Sequence, residues 1–590
     1  MFFDASDVCV RRVVGDFVVD IDLVHDRSTE LGLVLRNQQD AGRVAGAAGP
    51  LDHHRDARSL EPAAQHQGLH SGPLTELDQS AVVGVDELGL VGHEGDSAVG
   101  ALRSIGAVFG SARGAPQGRF VSHGGSVRAA GRYDAGVAAR RIPVASFPVT
   151  APAASFYVET LGCPKNAVDS DKVVASLLAD GLVPTSDAAQ ADLVVVNTCA
   201  FIEAARQESI DVALALAETK RTGAKLVLTG CMAERYGDEL AAALPEADAV
   251  VGFAGEGAIA DVVLGATRRK PVGVRDLLEL PRPAPTAPWA YVKVAEGCDR
   301  ACAFCAIPSF RGKQRSRTLE SIETEVRSLV EGGVAEIVLV AQDLAWYGRD
   351  IGAPGSLEPL LRRLDKLSAH GLQRVRLLYL YPSEVHDPLV STMLELPTVV
   401  PYFDLSLQHA APGLLRRMKR WGSGDRFRTM IEGIRAQEPG AAFRSSFIVG
   451  FPGERESDHD ALLEFLADVR LDWAGFFSFS QEDGTAAATM DGEVPEQLMR
   501  DRLRECAEVQ DPITTASRLA LVGETVEVLV DGSDEDGVLV GRTHREAPEI
   551  DGIVRLVGSD VDDSMFARPG AIVTATVTGI AGPDLEAKPW

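Results

Sequence analysis

Residues 296–312 read EGCDRACAFCAIPSFRG, and the placement of Cys298, Cys302 and Cys305 in that run governs how the rest of the chain is read. The three thiols follow a strand-like run, YVKVAEGC, with the spacing C-x3-C-x2-C. Three thiolates suit a 4Fe-4S cluster that keeps one iron free of protein ligands. The competing reading is a zinc knot, which wants a fourth Cys or His nearby, and none follows at a suitable distance. Beyond this loop the strand-then-helix pattern recurs. Strand-like runs fall at YVKVAEGC, EIVLVAQD, RVRLLYLYP, YFDLSLQH, FRSSFIVG and WAGFFSFS, with amphipathic stretches such as TLESIETEVRSLVEGG between them. Six such units joined by right-handed crossovers predict a partial (β/α)6 barrel over 289–515, open on one side, with its chemistry at the carboxyl ends of the strands.

Upstream, over 155–270, a shorter pattern repeats three times: FYVETLGC, LVVVNTC and KLVLTGC. Each is a Val- and Leu-rich run of the kind a parallel sheet buries, followed by a cysteine and then by a helical segment such as FIEAARQESIDVALALAETK. Taken singly, Cys163, Cys199 and Cys231 are small residues of the kind cores bury. Identical placement after three parallel strands puts them along one sheet edge, where such folds hold ligands, and so predicts a second three-cysteine cluster. A Pro-rich stretch, LPRPAPTAPW, marks a linker over 271–288. After a last helix near 494–518, alternating segments GETVEVLVDG, GVLVGRT, IDGIVRLVG and AIVTATVTGI predict a small closed β-barrel over 516–590. The fold class is therefore multidomain α/β: a Rossmann-like parallel domain, a partial (β/α)6 barrel and a small all-β barrel. At 590 residues, several domains are also what length alone leads one to expect.

Residues 1–154 read differently. They contain no lysine, hold seven of the twelve histidines and show no sustained periodicity, although VGDFVVDIDLV has strand character. A poorly ordered extension is expected, consistent with a misassigned start. His53 and His54 have no spacing partner for a compact metal site. The net charge of −27 argues against a general RNA-coating role and for cationic partners. No apolar run approaches the roughly 18–20 residues of a membrane helix, and the first residues lack a basic segment followed by an apolar one, so a cytosolic location is expected and the eight cysteines are read in a reducing compartment as metal ligands, catalytic thiols or core residues. Cys506, on the last helix, reads as a core residue.

The cysteine spacing, with aromatic Phe304 just before its last member, resembles the radical S-adenosylmethionine superfamily. Together with GCPKNAVDSDKV, NTCAFIEAARQES and GCMAERY, and with the terminal barrel, it resembles the methylthiotransferase family over about 155–590. That resemblance implies an N-terminal methylthiotransferase domain, a radical barrel and an OB-like TRAM domain. It implies two 4Fe-4S clusters, one on Cys163, Cys199 and Cys231 and one on Cys298, Cys302 and Cys305, with S-adenosylmethionine bound at the second. One S-adenosylmethionine would methylate sulfur at the first cluster. Another would be cleaved to a 5'-deoxyadenosyl radical that takes hydrogen from the substrate carbon.

Within the family, one branch modifies an adenosine in tRNA and another the β-carbon of an aspartate in small-subunit ribosomal protein S-twelve. GCPKN, NTCAFIEAA-x-QES, AIPSFRG and APEIDG are similar to the second, whereas the tRNA branch typically shows GCQMN and NTCSIRE. Residues 521–590 carry 14 acidic and 5 basic side chains, which suits a basic protein better than a phosphate backbone. A third reading, from another class, is a non-enzymatic iron-sulfur or zinc scaffold on ribosomes. The expected partners are the ribosomal protein, an electron donor such as a flavodoxin or ferredoxin, and a sulfur donor, with no membrane, no direct nucleic-acid substrate and a monomeric state.

Lesser candidates surround the barrel. Gly332 and Gly333 precede the second strand and would let backbone approach the cofactor, or they simply end a helix. Gln342, Asp343, Gln408, Arg444 and Ser446 lie at or within strands and face either cofactor, substrate or interior packing. The run PSFRGKQRSR is either a basic contact for an acidic cofactor or protein, or solvated surface.

Overall fold

The protein is described by a computed structural model covering residues 8–14, 17–25, 31–37, 153–265, 277–280, 282–558 and 568–590. It divides into two units, residues 1–144 and 145–590. In the first, β1 (Val8–Val14), β2 (Phe17–His25) and β3 (Leu31–Asn37) pair antiparallel in that order. The expectation of poor order falls mainly on residues outside the described set, as do His53 and His54.

The second unit begins with a parallel five-stranded sheet. Its strands are β4 (Ser155–Thr160), β5 (Val183–Pro184), β6 (Leu193–Thr198), β7 (Lys225–Gly230) and β8 (Ala249–Val250), in the order β5-β4-β6-β7-β8. Every residue of β6 is buried, as the unbroken run LVVVNT requires of a central parallel strand covered on both faces. The helix Pro164–Ala179 covers one face and Glu203–Thr219 follows β6. The order reverses between β4 and β6, which makes their carboxyl ends a topological switch point.

The barrel is built from β9 (Trp289–Lys293), a short β10–β11 pair (Ala295–Glu296 with Arg315–Ser316), β12 (Glu336–Val340), β13 (Arg374–Leu377), β14 (Tyr402–Gln408), β15 (Ala442–Val449) and β16 (Trp473–Ser478). The parallel orders β9-β12-β13 and β14-β15-β16 are joined by a parallel bridge, Leu380 to Leu405, giving six staves in chain sequence. Helices Leu319–Glu331, Leu357–Asp365, Asp387–Glu395, Gly424–Gln437 and Glu456–Val469 cover the outside. Ile337, Leu339, Phe403, Phe443 and Phe447 are fully buried in the main core, and each such side chain contributes about 1.5–3 kcal/mol.

Helix Glu496–Leu519 leads to a closed barrel of β17 (Thr525–Ser533), β18 (Leu539–Arg542), β19 (Val554–Leu556), β20 (Ile572–Ala581) and β21 (Asp584–Pro589). The sequence pattern supplies only four of these strands. The fifth, DLEAKP, ends in proline and carries charge, and it forms because β20 and β19 both offer it a paired edge. The segment between β18 and β19 enters the amino end of the partial barrel. Ala547 packs with Tyr291, Val338, Tyr402 and Trp473, while Tyr402 donates to Asp551 at 2.6 Å and Trp473 to the Arg545 carbonyl at 2.7 Å. With its lower end plugged in this way, the partial barrel presents its carboxyl edge to the first domain.

Candidate functional site

Each cysteine of the first trio sits where a parallel strand ends. Cys163 caps helix Pro164–Ala179, Cys199 follows β6, and Cys231 opens helix Cys231–Ala243. Gly162 (φ 94°) and Gly230 (φ 88°) make the turns. A Cβ on Gly162 would stand 2.9 Å from Cys199 Sγ, so only glycine lets the first and second loops approach this closely. Burial pushes the Cys199 thiol up to about 12, with Cys163 and Cys231 adding to it. Cys231 is likewise raised by burial, against the pull of Arg311. Burial also opposes ionisation of Cys163, but Lys165 and Arg311 outweigh it and leave that thiol below its usual value.

Arg311 is the centre of this arrangement. Its Nη2 donates to Cys231 Sγ at 3.0 Å and to Asn166 Oδ1 at 2.7 Å, while Nη1 reaches both Glu296 oxygens at 2.9 Å. Asp169 accepts from the same guanidinium at 3.1 Å and also from Lys293. Lys293 in turn donates to Glu296 at 2.6 Å. Two cations and two carboxylates thus balance one another in a buried cluster beside the thiols, which is the condition for keeping charge out of water. Burial resists the ionised form of Glu296, but Arg311 and Lys293 hold its carboxyl far below the usual range.

The second trio lies on the loop after β10. Cys298 Sγ accepts from the Arg300 amide at 3.4 Å, and Cys302 Sγ from Arg420 Nη1 at 3.4 Å. The loop is pinned by hydrogen bonds from Ala303 N to the Met418 carbonyl (2.9 Å) and from Ala487 N to the Ala303 carbonyl (2.8 Å). Burial pushes Cys298 up to about 11 and Cys305 to about 12, and neighbouring trio members add to both. Phe304 packs half-buried against the barrel core.

Each trio holds two thiols that burial keeps from ionising, Cys199 and Cys231 in the first and Cys298 and Cys305 in the second, and a neighbouring thiol of the same trio adds to each, a strain that a cationic centre would relieve. Among the described residues, no three or more Cys, His, Asp or Glu side chains converge tightly enough to hold a single metal ion. A cubane grips its ligands at separate corners, so its thiolates stand farther apart than those around one ion. At the end of β12, Gln342 Nε2 donates to Glu296 at 2.6 Å and Asp343 Oδ2 accepts from Arg300 at 2.6 Å. Gln342 Oε1 and Asp343 Oδ1 are buried there without a partner. Two orphaned acceptors beside the cysteine loop fit a ligand that brings N–H donors.

Other candidates from the sequence are placed differently. Gly332 and Gly333 close helix Leu319–Glu331 at the amino end of β12, the opposite end from the cysteines; their amides bond back to Ser328 and Val330. They are helix-ending residues, a correction to the cofactor reading. Arg444, in the first half of β15, is held by Asp404 at 3.1 Å and Asp551 at 3.4 Å, and so ties the barrel to the terminal domain rather than reaching the cysteine loops. Ser446 is half-buried midway along β15, and Gln408 ends β14 at φ 74°. The surface reading of PSFRGKQRSR holds for Lys313 and Arg315, which are exposed, and is corrected for Arg311 and Arg317, which are inside, Arg317 paired with Glu325 at 2.8 Å. Cys506 is fully buried in the core. Asn166, Asp169, Lys293, Glu296 and Arg420 were not singled out by sequence, although Asn166 and Asp169 lie in GCPKNAVDSDKV.

Residues 155–252 match the family described as uncharacterized protein family UPF0004, 292–466 the radical SAM superfamily, and 522–589 the TRAM domain. The ribosomal protein uS12 methylthiotransferase RimO of Kineococcus radiotolerans is 41% identical over 483 residues, covering 75% of this chain and 98% of that protein. RimO of Salinispora tropica is 43% identical, covering 73% and 94%, and RimO of Moorella thermoacetica is 43% identical, covering 71% and 96%. With all three domains in the same order and relatives this similar along almost their whole length, the chain belongs to the RimO family of ribosomal protein uS12 methylthiotransferases.

Proposed function

We propose that this protein is a radical S-adenosylmethionine enzyme that adds a methylthio group to the β-carbon of an aspartate in ribosomal protein uS12, working as a monomer in the cytoplasm. The observation that carries this reading is the link between the two cysteine sites. Arg311, which follows the Cys298–Cys305 loop in sequence, donates to Cys231 of the other trio. Cys163, Cys199 and Cys231 would hold one 4Fe-4S cluster, and Cys298, Cys302 and Cys305 the other. These supply, respectively, sulfur and the electron that cleaves S-adenosylmethionine.

The chain's own residues bind and orient. Gln342 and Asp343 offer acceptors for the amino group of S-adenosylmethionine, Phe304 shapes the loop that carries the thiolates, and Ser446 faces the barrel from β15. Tyr379 (φ 65°) and Gln408 (φ 74°) hold strained backbone at the carboxyl ends of β13 and β14, the edge where a substrate side chain must enter. Lys165 lies over the Tyr379 ring at 3.3 Å, closing the space between the first trio and that edge. The acidic terminal barrel suits a basic ribosomal protein.

Mass spectrometry of uS12 and of tRNA from cells lacking this protein tests the substrate. Loss of the modification from uS12 alone is expected, and its loss from tRNA with uS12 unaffected would overturn the reading. Absence of deoxyadenosine from a reduced, fully loaded sample would favour a non-enzymatic scaffold instead.

A further inference from the structure

We propose that Arg416, Lys419, Trp421 and Arg426 form a docking surface for an acidic one-electron carrier protein. The inference rests on the proposed reductive cleavage of S-adenosylmethionine, which consumes an electron from outside. The carrier loses one electron, the cluster held by Cys298, Cys302 and Cys305 gains it, and no atom changes hands.

The segment LLRRMKRWGSGDRFR departs from the rest of this acidic chain, whose net charge is −27. Arg416, Arg417, Lys419 and Arg426 are exposed, and Trp421 is 37% exposed beside them. Elsewhere the arginines are largely committed: Arg300, Arg311, Arg376, Arg502 and Arg542 each hold a carboxylate. Among the described residues, no carboxylate forms an ion pair with Arg416, Arg417, Lys419, Arg420 or Arg426, and Asp425 nearby is engaged by Arg428 at 3.0 Å. Arg426 lies 5.5 Å from the Trp421 ring centre, so cation and aromatic form one surface feature. Unpaired exposed cations in a negatively charged molecule attract a partner whose charge is negative.

Position makes that partner an electron carrier. Met418, between these cations, accepts the hydrogen bond of Ala303 N at 2.9 Å, and Arg420 donates to Cys302 Sγ at 3.4 Å. The patch is therefore the outer surface of the second cysteine loop, one hydrogen bond from a cluster ligand's neighbour. A basic ribosomal protein would be repelled here. A phosphate backbone would be gripped by cations spread along a groove, whereas these gather in about two turns of chain over the loop.

The test uses the loaded full-length protein, an oxidised flavodoxin as binding probe, and either that flavodoxin after chemical reduction or dithionite as reductant. The charge-reversed pair Arg416→Glu with Lys419→Glu is compared with Arg416→Lys with Lys419→Arg. We expect the wild type to bind flavodoxin with an affinity that falls as salt is raised. The reversed pair should bind at least tenfold more weakly and yield correspondingly less deoxyadenosine with flavodoxin, while dithionite supports an unchanged rate. The charge-keeping pair should stay within twofold of wild type. No flavodoxin binding by the wild type, affinity within twofold in the reversed pair, or loss of ribosomal RNA binding with flavodoxin binding intact would each overturn the proposal. Absence of deoxyadenosine from the unaltered protein even with dithionite would overturn the proposed function and this inference together.

Discussion

Arg311 Nη2 stands 3.0 Å from Cys231 Sγ, joining the barrel's cysteine segment to the last thiol of the first domain. The same guanidinium holds Glu296 and Asp169, so removing it leaves two buried carboxylates with Lys293 as their remaining shared cation. Breaking such a buried pairing costs about 3–5 kcal/mol. Arg311→Met should lower the unfolding midpoint and lose about half the bound iron, as expected when one of two cubanes fails. Arg311→Lys should recover only part of either, because an ammonium cannot reproduce the planar fork that reaches sulfur, Asn166 and Glu296 together. Full iron content with unchanged stability in Arg311→Met would show the contact to be incidental.

Glycine 162 provides a narrower test of the first trio. Its φ of 94° and the 2.9 Å between a built Cβ and Cys199 Sγ both forbid a side chain. Left-handed backbone alone costs a non-glycine residue about 1–2 kcal/mol. Gly162→Ala should therefore lose iron from the first site while the second still cleaves S-adenosylmethionine, seen as deoxyadenosine release without methylthio transfer. Loss of both activities in a folded protein would mean that the two sites are not separable.

Glu256 is buried beside the Thr229 hydroxyl. That hydroxyl lies 2.8 Å from the Val251 carbonyl and 2.9 Å from Glu256 Oε1, but it has one hydrogen to give. If the carbonyl takes it, the carboxyl must donate back. Burial, assisted by Asp169, pushes the Glu256 carboxyl up to about 8 even against the lowering effect of a hydrogen bond from Thr229, so the neutral form able to donate is the one that burial favours. A carboxyl whose folded pKa exceeds its unfolded one stabilises fully below the unfolded value, near 4.5, and loses that contribution as pH rises through about 8. The stability of wild type relative to Glu256→Gln should accordingly fall by about 1.4 kcal/mol per pH unit across that window. Denaturant unfolding at pH 5 and pH 8 measures the difference; a flat difference would mean Glu256 is ionised throughout.

Much of this architecture is legible in the sequence because parallel strands bury both faces and so read as uninterrupted Val and Leu runs. The three Val- and Leu-rich runs of the first domain and the six more mixed strand-like runs of the barrel all form strands, and the cysteines fall along the carboxyl edges. What stays hidden has a common cause. Arg311 and Arg317 look like surface charge, since local sequence does not reveal that Asp169, Glu296 and Glu325 await them from distant segments. Gly332 and Gly333 look like a cofactor cradle until the direction of β12 puts them at the wrong end. The strand Asp584–Pro589 has weak character of its own and depends on the edges offered by its neighbours.

The same dependence on distant partners governs how the terminal domain is held. Glu336, fully buried at the start of β12, accepts from Arg376 at 2.7 Å and from Arg542 of the terminal barrel at 2.8 Å. Burial opposes its charge, yet Arg376 and Arg542 hold the carboxyl down at about 2, so it is ionised throughout the physiological range. Arg376 also donates to the His544 carbonyl at 2.7 Å, and Arg374 to the Arg542 carbonyl at 2.7 Å, so one carboxylate anchors the cations that grip the plug. Glu336→Ala removes the one carboxylate that, among the described residues, both guanidiniums share and should cost about 3–5 kcal/mol. Glu336→Gln keeps one acceptor and should cost less. Limited proteolysis should then cut earlier between the last helix and β17 in Glu336→Ala than in wild type, with iron content preserved because the cysteine loops lie at the other end of the barrel. A loss below about 1 kcal/mol would place this pair among ordinary surface ion pairs and show that Ala547 and Trp473, by packing, hold the domain in place.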